Sequence, residues 1–430
     1  MATHLIILFH FILAIITISH ILLHKRESNS ALNWILFIAL YPFLGVITYY
    51  FFGINRVKLK VLKSLKKARK LKIPLLTKVA LPKQYAPIRK TYLQQIEKIV
   101  DQLTATHLLA GNNFKIYKNG EETYSAMLKA IANASSSINM CSYIFDNNEV
   151  GYQFLDALTN AKAKGVKIHI FIDAVGSHYS FPSIIKRFKK NNINIQLFNP
   201  TLIPWKTKYL NLRNHKKILI VDGKIGFTGG MNISKSSLFL GKQKHHIQDI
   251  HFKMEGPTVR HLQETFVRDW AYITGENLTE EMLFPTLEVA GNVPARGISD
   301  GPDEKEYKLR DTILGALSCA RSTVLIQTPY FLPDSILVAA LKSVALRGVK
   351  VKILIPENNN SRLTQWAAMA QLWQVLDWCE VYLGQPPFDH SKYMIIDEYW
   401  CFIGSANWDQ RSFRLNYEFN VECYSTKLAK

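Results

Sequence analysis

Two stretches of the sequence set a histidine, a lysine and an aspartate at one repeated spacing: His215-x-Lys217-x4-Asp222 and His390-x-Lys392-x4-Asp397. The same interval then leads from each aspartate to a G-x-x-N tail, Gly229–Asn232 and Gly404–Asn407. An imidazole titrates near neutral pH and can act as nucleophile or as acid. A lysine is a compact cation suited to a phosphoryl oxygen. In an extended chain residues i and i+2 share a face, so each histidine should emerge beside its lysine. One such motif could be any basic surface strand. Two copies in corresponding contexts, each with the same tail, mark a functional site rather than a chance pattern. Asp222 opens an Asp-Gly turn, so it reads equally as a catalytic carboxylate and as a turn residue bonded to backbone. A further carboxylate follows each motif, Asp249 in QDIHF and Glu418 in NYEFN. A carboxylate on one ring nitrogen fixes the tautomer and orientation of a working histidine. Proximity in sequence assigns Asp249 to His215 and Glu418 to His390.

The elements that position these residues also repeat. Ala157–Asp173 (ALTNAKAKGVKIHIFID) parallels Ala340–Pro356 (ALKSVALRGVKVKILIP), each an amphipathic helix, a turn and an apolar strand. Upstream, Ser136–Asp146 parallels Ser322–Asp334, both strands that end at an aromatic cluster. The fold class expected is α/β: two pseudo-symmetric halves, 110–290 and 305–430, with mixed, mainly parallel sheets flanked by helices. The Gly- and Pro-rich stretch Gly291–Asp303 reads as the linker between them. If equivalent loops meet at a pseudo-twofold axis, both histidines and both lysines face one substrate. Tyr143, Phe145, Tyr330 and Phe331 sit near the strand ends, where they either line an entrance or pack in the core.

The chain has 430 residues, with 53 Lys+Arg against 33 Asp+Glu and a formal net charge of +20, which favours an anionic partner. Apolar residues at 48% exclude a disordered chain. Five cysteines, scattered and without C-x-x-C, exclude a disulfide framework and a cysteine zinc site. Leu5–Leu23 and Ala31–Phe52 carry no formal charge and are each about the ~20 residues that a membrane-crossing helix needs. Residues 1–55 are therefore expected to form a transmembrane hairpin, and 56–109 a basic connector. Arg56, Lys58, Lys60, Lys63, Lys66, Lys67, Arg69, Lys70 and Lys72 follow with no acid among them, which places the remainder of the chain on the cytoplasmic side.

With these residues in view, the paired motifs resemble the HKD motifs of the phospholipase D superfamily, and within it the chain resembles bacterial cardiolipin synthases. The likeness runs through YIFDNNEVG (Tyr143–Gly151), RNHKKILIVDG (Arg213–Gly223), FTGGMNI (Phe227–Ile233), TPYFLPD (Thr328–Asp334), DHSKYMIID (Asp389–Asp397), NWDQRSF and LNYE. Members of the family usually carry a further helical tail, whereas this chain ends soon after Glu418 and reads as a short or truncated variant. The resemblance implies an enzyme of the bacterial cytoplasmic membrane that needs no metal or other cofactor. It would transfer a phosphatidyl group between two phosphatidylglycerol molecules, giving cardiolipin and glycerol. His215 would be the nucleophile and His390 the general acid/base, with Asp222 and Asp397 completing the motifs. Lys217, Lys392, Asn232 and Asn407 would bind the phosphoryl oxygens. The expected partners are phosphatidylglycerol and anionic membrane lipids, and not nucleic acid. Two alternatives share the motifs: a membrane-anchored phospholipase D using water, and a phosphatidyltransferase using another donor. A nuclease of the same superfamily would also suit the basic charge.

Overall fold

The computed structural model describes residues 2–25, 28–54, 91–104, 106–200, 212–239, 246–302 and 307–430. The basic run from Arg56 to Lys72 and most of the connector lie outside the described residues. The chain divides into two units, Met1–Val61 and Leu62–Lys430.

In the first unit, helices span Ala2–His24, Ser28–Leu40 and Pro42–Thr48, and a π-turn covers Tyr49–Gly53. Ile21, Ala31, Ile38 and Tyr49 form its small core. The second apolar segment is not one continuous helix. Tyr41 leaves helical geometry (φ −133°, ψ 70°) and Pro42, which has no amide hydrogen, begins a new helix. Gly45 then lies against Ile38, where a Cβ would come 2.7 Å from the Ile38 Cα. Among the described residues no helix is long and apolar enough to cross a membrane. The expected transmembrane hairpin is therefore not supported by this unit, and its second segment is broken at Tyr41–Pro42.

The second unit is built on two strings of seven strands. The first holds β1 (Leu109–Lys118), β2 (Ser137–Ser142), β3 (Lys167–Asp173), β4 (Ile195–Phe198), β5 (Ile218–Val221), β6 (Ile225–Gly229) and β7 (Ile250–Glu255). The second holds β8 (Val293–Asp300), β9 (Thr323–Gln327), β10 (Lys350–Pro356), β11 (Glu380–Gly384), β12 (Tyr393–Ile396), β13 (Trp400–Gly404) and β14 (Glu418–Tyr424). All belong to one 14-stranded sheet, ordered β11-β10-β9-β12-β13-β14-β8-β1-β7-β6-β5-β2-β3-β4. Read outward from the centre, the two halves have the same order, so the duplication seen in sequence is a structural duplication.

Two expectations about this sheet are corrected. Only β2-β3-β4 and β9-β10-β11 run parallel; the other pairings are antiparallel, because the motif strands return as hairpins. The supposed linker is β8, which pairs with β14 on one side and with β1 on the other and so joins the halves. Burial overrides its turn-like composition. Arg296 is fully buried, with Nε 2.6 Å from Glu422 and Nη1 2.5 Å from Asp101, and Ile298 lies in the core. Helices Glu149–Ala163 and Ser335–Leu346 precede β3 and β10 as the repeat requires, begun by the Asn148 and Asp334 side-chain caps. Helix Val259–Thr274 packs Leu262, Phe266 and Trp270 into a core shared with Phe419 and Val421 of the second half.

Candidate active site

Each histidine lies in extended backbone just before its strand, His215 ahead of β5 and His390 ahead of β12. What fixes them is pairing with the opposite half. His215 N donates to Tyr417 O (2.9 Å), and Tyr417 N donates to Arg213 O (2.8 Å). Equivalently, Phe388–Asp389 pairs with Ile247–Gln248, and His390 N donates to Gln248 O (2.7 Å). The residue after Tyr417 is Glu418, and the one after Gln248 is Asp249. The carboxylates are therefore delivered crosswise. Glu418 Oε1 is 3.1 Å from His215 Nδ1, and Asp249 Oδ2 is 2.9 Å from His390 Nδ1. This reverses the assignment expected from the sequence. With Nδ1 committed to a carboxylate in both rings, Nε2 is the nitrogen left for a substrate.

Both histidines line a single cavity of about 970 Å³ together with Tyr143, Tyr330, Asn232 and Asn407. The Tyr143 ring meets His215 edge-on (centroids 5.3 Å apart) and the Tyr330 ring meets His390 likewise (6.2 Å). Phe145, two residues after Tyr143, and Phe331, next after Tyr330, are buried core. Asn407 Oδ1 is buried with no hydrogen-bond partner among the described residues, whereas Asn232 Oδ1 accepts from Ile144 N (3.1 Å). Lys217 and Lys392 are buried behind the histidines, not among the residues lining the cavity. Lys217 Nζ donates to His215 O (2.6 Å); Lys392 Nζ donates to His390 O and lies 3.0 Å from His390 Nδ1.

Asp222 and Asp397 are not at the cavity, which corrects the catalytic reading of those two residues. Each sits at positive φ (53° and 52°) in a hairpin turn. Asp222 accepts from the backbone amides of Ser135, Ser136 and Ser137, and Asp397 from those of Arg321, Ser322 and Thr323. They clamp the motif hairpin to the start of the neighbouring strand, β2 or β9.

The charges are strongly shaped by burial. Burial lowers the pKa of His215, partly offset by Glu418, and takes His390 well below its usual range, assisted by Lys392 and Lys217. Lys217 is brought down to about 7 and Lys392 to about 8, again mainly by burial. The two carboxylates differ. Burial raises Asp249 to about 6, whereas Glu418 is held below its ordinary value, because His215 and Lys217 outweigh the effect of burial. A local cause is visible. Ser405 Oγ donates to Glu418 (2.6 Å), while the equivalent position is Gly230, where a Cβ would fall 2.6 Å from Asp249 Oδ1. Sequence reasoning did not single out Asp146, Tyr179, Arg213 or Asp409, all on the cavity wall. Arg213 adjoins the motif and pairs with buried Asp173 (3.2 Å), so its place beside His215 was the only signal available.

Two duplicated α/β halves in one sheet, each delivering a histidine to a common cavity, define the class as a phospholipase D-like protein with two HKD motifs. The sequence matches the family described as "Cardiolipin synthase, PLD-like domain" over residues 127–270 and 313–430, and "Phospholipase_D-nuclease N-terminal" over residues 12–53. The chain belongs to the cardiolipin synthase, PLD-like domain family. It is 33% identical over 410 residues to "Probable cardiolipin synthase YwiE" of Bacillus subtilis (strain 168), covering 94% of this chain and 81% of that protein. It is 30% identical over 418 residues to "Cardiolipin synthase" of Staphylococcus aureus (strain Mu50), covering 95% and 85%. The crystal structure of phosphatidylserine synthase from Haemophilus influenzae Rd KW20 shares the fold, with a TM-score of 0.60 at 14% identity over 77% of this chain and 87% of that one.

Proposed function

We propose that the chain is a membrane-associated cardiolipin synthase, transferring a phosphatidyl group from one phosphatidylglycerol to another. The observation that carries this reading is the pair of imidazoles on one cavity, each braced at Nδ1 by a carboxylate from the opposite half. In the first step His215 Nε2 attacks phosphorus, the bond to the headgroup glycerol breaks, and His390 gives its proton to the departing alkoxide. In the second, His390 takes the proton of a hydroxyl on another phosphatidylglycerol. That oxygen attacks phosphorus, the P–N bond breaks, and cardiolipin forms. A covalent intermediate divides one difficult displacement into two. In the empty site burial, with the charges of Lys392 and Lys217, disfavours the His390 cation. An incoming phosphodiester supplies the negative charge that lets it carry a proton. Lys217 and Lys392 place positive charge behind the histidines, where it stabilises the phosphoryl oxygens as charge gathers on them.

The N-terminal unit suits a membrane location without crossing being required of it. Phe9, Phe11, Ile15, Leu22, Phe43 and Phe52 are exposed, an apolar surface that a bilayer would cover. The basic run after it, Arg56–Lys72, favours the cytoplasmic face of a bacterial membrane. The full chain in vesicles of phosphatidylglycerol, labelled in the headgroup, is expected to release glycerol and form cardiolipin in equal amounts. Phosphatidic acid without cardiolipin would replace this reading with hydrolysis, and turnover only of another phospholipid would replace the donor.

A further inference from the structure

The two lips of the cavity, one from each half, carry side chains that the chemistry above does not use. On the second half, helix Arg362–Gln371 and its continuation Trp373–Leu376 flank the cavity. Thr364, Ala367 and Gln371 line it, and their spacing of three and four puts them on one helix face. Leu363, Trp366, Met369 and Trp373 fall on a different face and stand 75, 65, 45 and 71% exposed. On the first half, the segment after β3 brings Tyr179 to the cavity wall and leaves Phe181 fully exposed. Ser180 Oγ accepts from Asn147 N (3.0 Å), which ties this segment to the lobe. Large apolar side chains in water on both sides of one opening are more than scattered surface residues. Basic groups flank them: Lys186, Arg187, Lys189 and Lys190 on helix Ile185–Lys190, and Arg362 at the start of the other lip, all exposed. Neither the stretch Ala174–Asn194 nor Asn358–Leu376 contains an acidic residue.

We propose that this rim docks onto the surface of an anionic phospholipid bilayer, so that the cavity opens directly onto lipid. Leu363, Trp366, Trp373 and Phe181 enter the headgroup boundary, and the flanking lysines and arginines meet lipid phosphates. The proposal rests on the reading that the substrate is a phospholipid. Tryptophan has an apolar body and one polar N–H, the combination that settles at a membrane–water boundary. An apolar surface framed by cations binds anionic bilayers through both terms at once. A protein partner seated on both lips would close the entrance that the substrate needs, whereas a bilayer there is the source of substrate. Docking would also let the diester reach His215 and His390 while its acyl chains stay in the membrane, which removes the cost of extracting them into water.

The test uses the full chain and the combined variant Phe181→Ser, Leu363→Ser, Trp366→Ser, Trp373→Ser, none of which lines the cavity. Turnover of phosphatidylglycerol in vesicles is expected to fall at least about tenfold, as lost interfacial burial should weaken docking. Turnover of a short-chain phosphatidylglycerol, dispersed as monomers, is expected to stay within about twofold of the parent protein. In parallel, brominated phosphatidylglycerol should quench part of the tryptophan emission, and that part should vanish in the variant Trp366→Phe, Trp373→Phe. Equal effects on both lipid presentations, or quenching untouched by the Phe variant, would overturn the proposal. So would intact vesicle turnover with a changed oligomeric state, which would mark the rim as a protein interface. If the parent protein makes no cardiolipin from either presentation yet is quenched as expected, the reaction assigned above fails while the docking stands.

Discussion

The crosswise pairing of carboxylates and histidines makes a prediction that sequence order contradicts. In Glu418→Gln the side chain keeps its shape and loses its charge. The His215–Glu418 separation is 3.1 Å. At an effective dielectric of about 20, two unit charges at this distance interact by roughly 5 kcal/mol. That corresponds to a factor on the order of 10³ to 10⁴ in the stability of the charged ring, since each 1.36 kcal/mol is tenfold. Loss of the histidine-orienting carboxylate in a serine protease triad costs about as much, ~10⁴. Asp249→Asn should act on the same scale, but through His390. A phosphatidyl ester of nitrophenol separates the two, because nitrophenolate departs without needing a proton. The histidine acting as general acid then becomes dispensable in the first step, and so does its carboxylate. The expected result is that His390→Ala and Asp249→Asn are rescued together, while His215→Ala and Glu418→Gln both remain slow. The grouping tests the pairing even if the roles of the two histidines are exchanged. Rescue of His390→Ala together with Glu418→Gln would refute the crosswise arrangement.

Three further outcomes follow from the same geometry. Activity should show a bell-shaped pH dependence in kcat/KM: Asp249, raised to about 6, gains its charge as pH rises through that value, and Lys217 and Lys392, lowered to about 7 and 8, lose theirs above it. A flat profile up to pH 9 would remove the lysines from the charge-stabilising role. Asp222→Asn should lower the unfolding temperature, because three backbone amides of Ser135–Ser137 lose a charged acceptor, yet leave turnover of the folded enzyme within about threefold; a loss comparable to that of His215→Ala would restore the catalytic reading. Arg296→Met should destabilise by about 3–5 kcal/mol in denaturant unfolding, because Glu422 would be left buried without its cation, and added substitution of Glu422 by Gln should recover part of that loss.

The chemistry was legible in the sequence because it rests on local spacing and on repetition. His215 and Lys217, or His390 and Lys392, come together through two residues of extended chain, and the duplicated helix-turn-strand units announce two equivalent halves before any contact is known. The family resemblance was carried by the same residues. The partner of each histidine was not legible. It depends on the backbone bonds His215 N–Tyr417 O and His390 N–Gln248 O, which join segments far apart in the chain. The role of Asp222 and Asp397 was left open for a similar reason: an Asp in a turn looks the same whether its oxygens meet a substrate or the amides of a neighbouring strand. Gly291–Asp303 has the composition of a linker, and only the burial of Arg296 and Ile298 between two strands makes it the central seam of the sheet. Short-range stereochemistry thus writes motifs and repeats into the chain, whereas long-range pairing, a cooperative outcome of burying two halves against one another, decides which charge answers which.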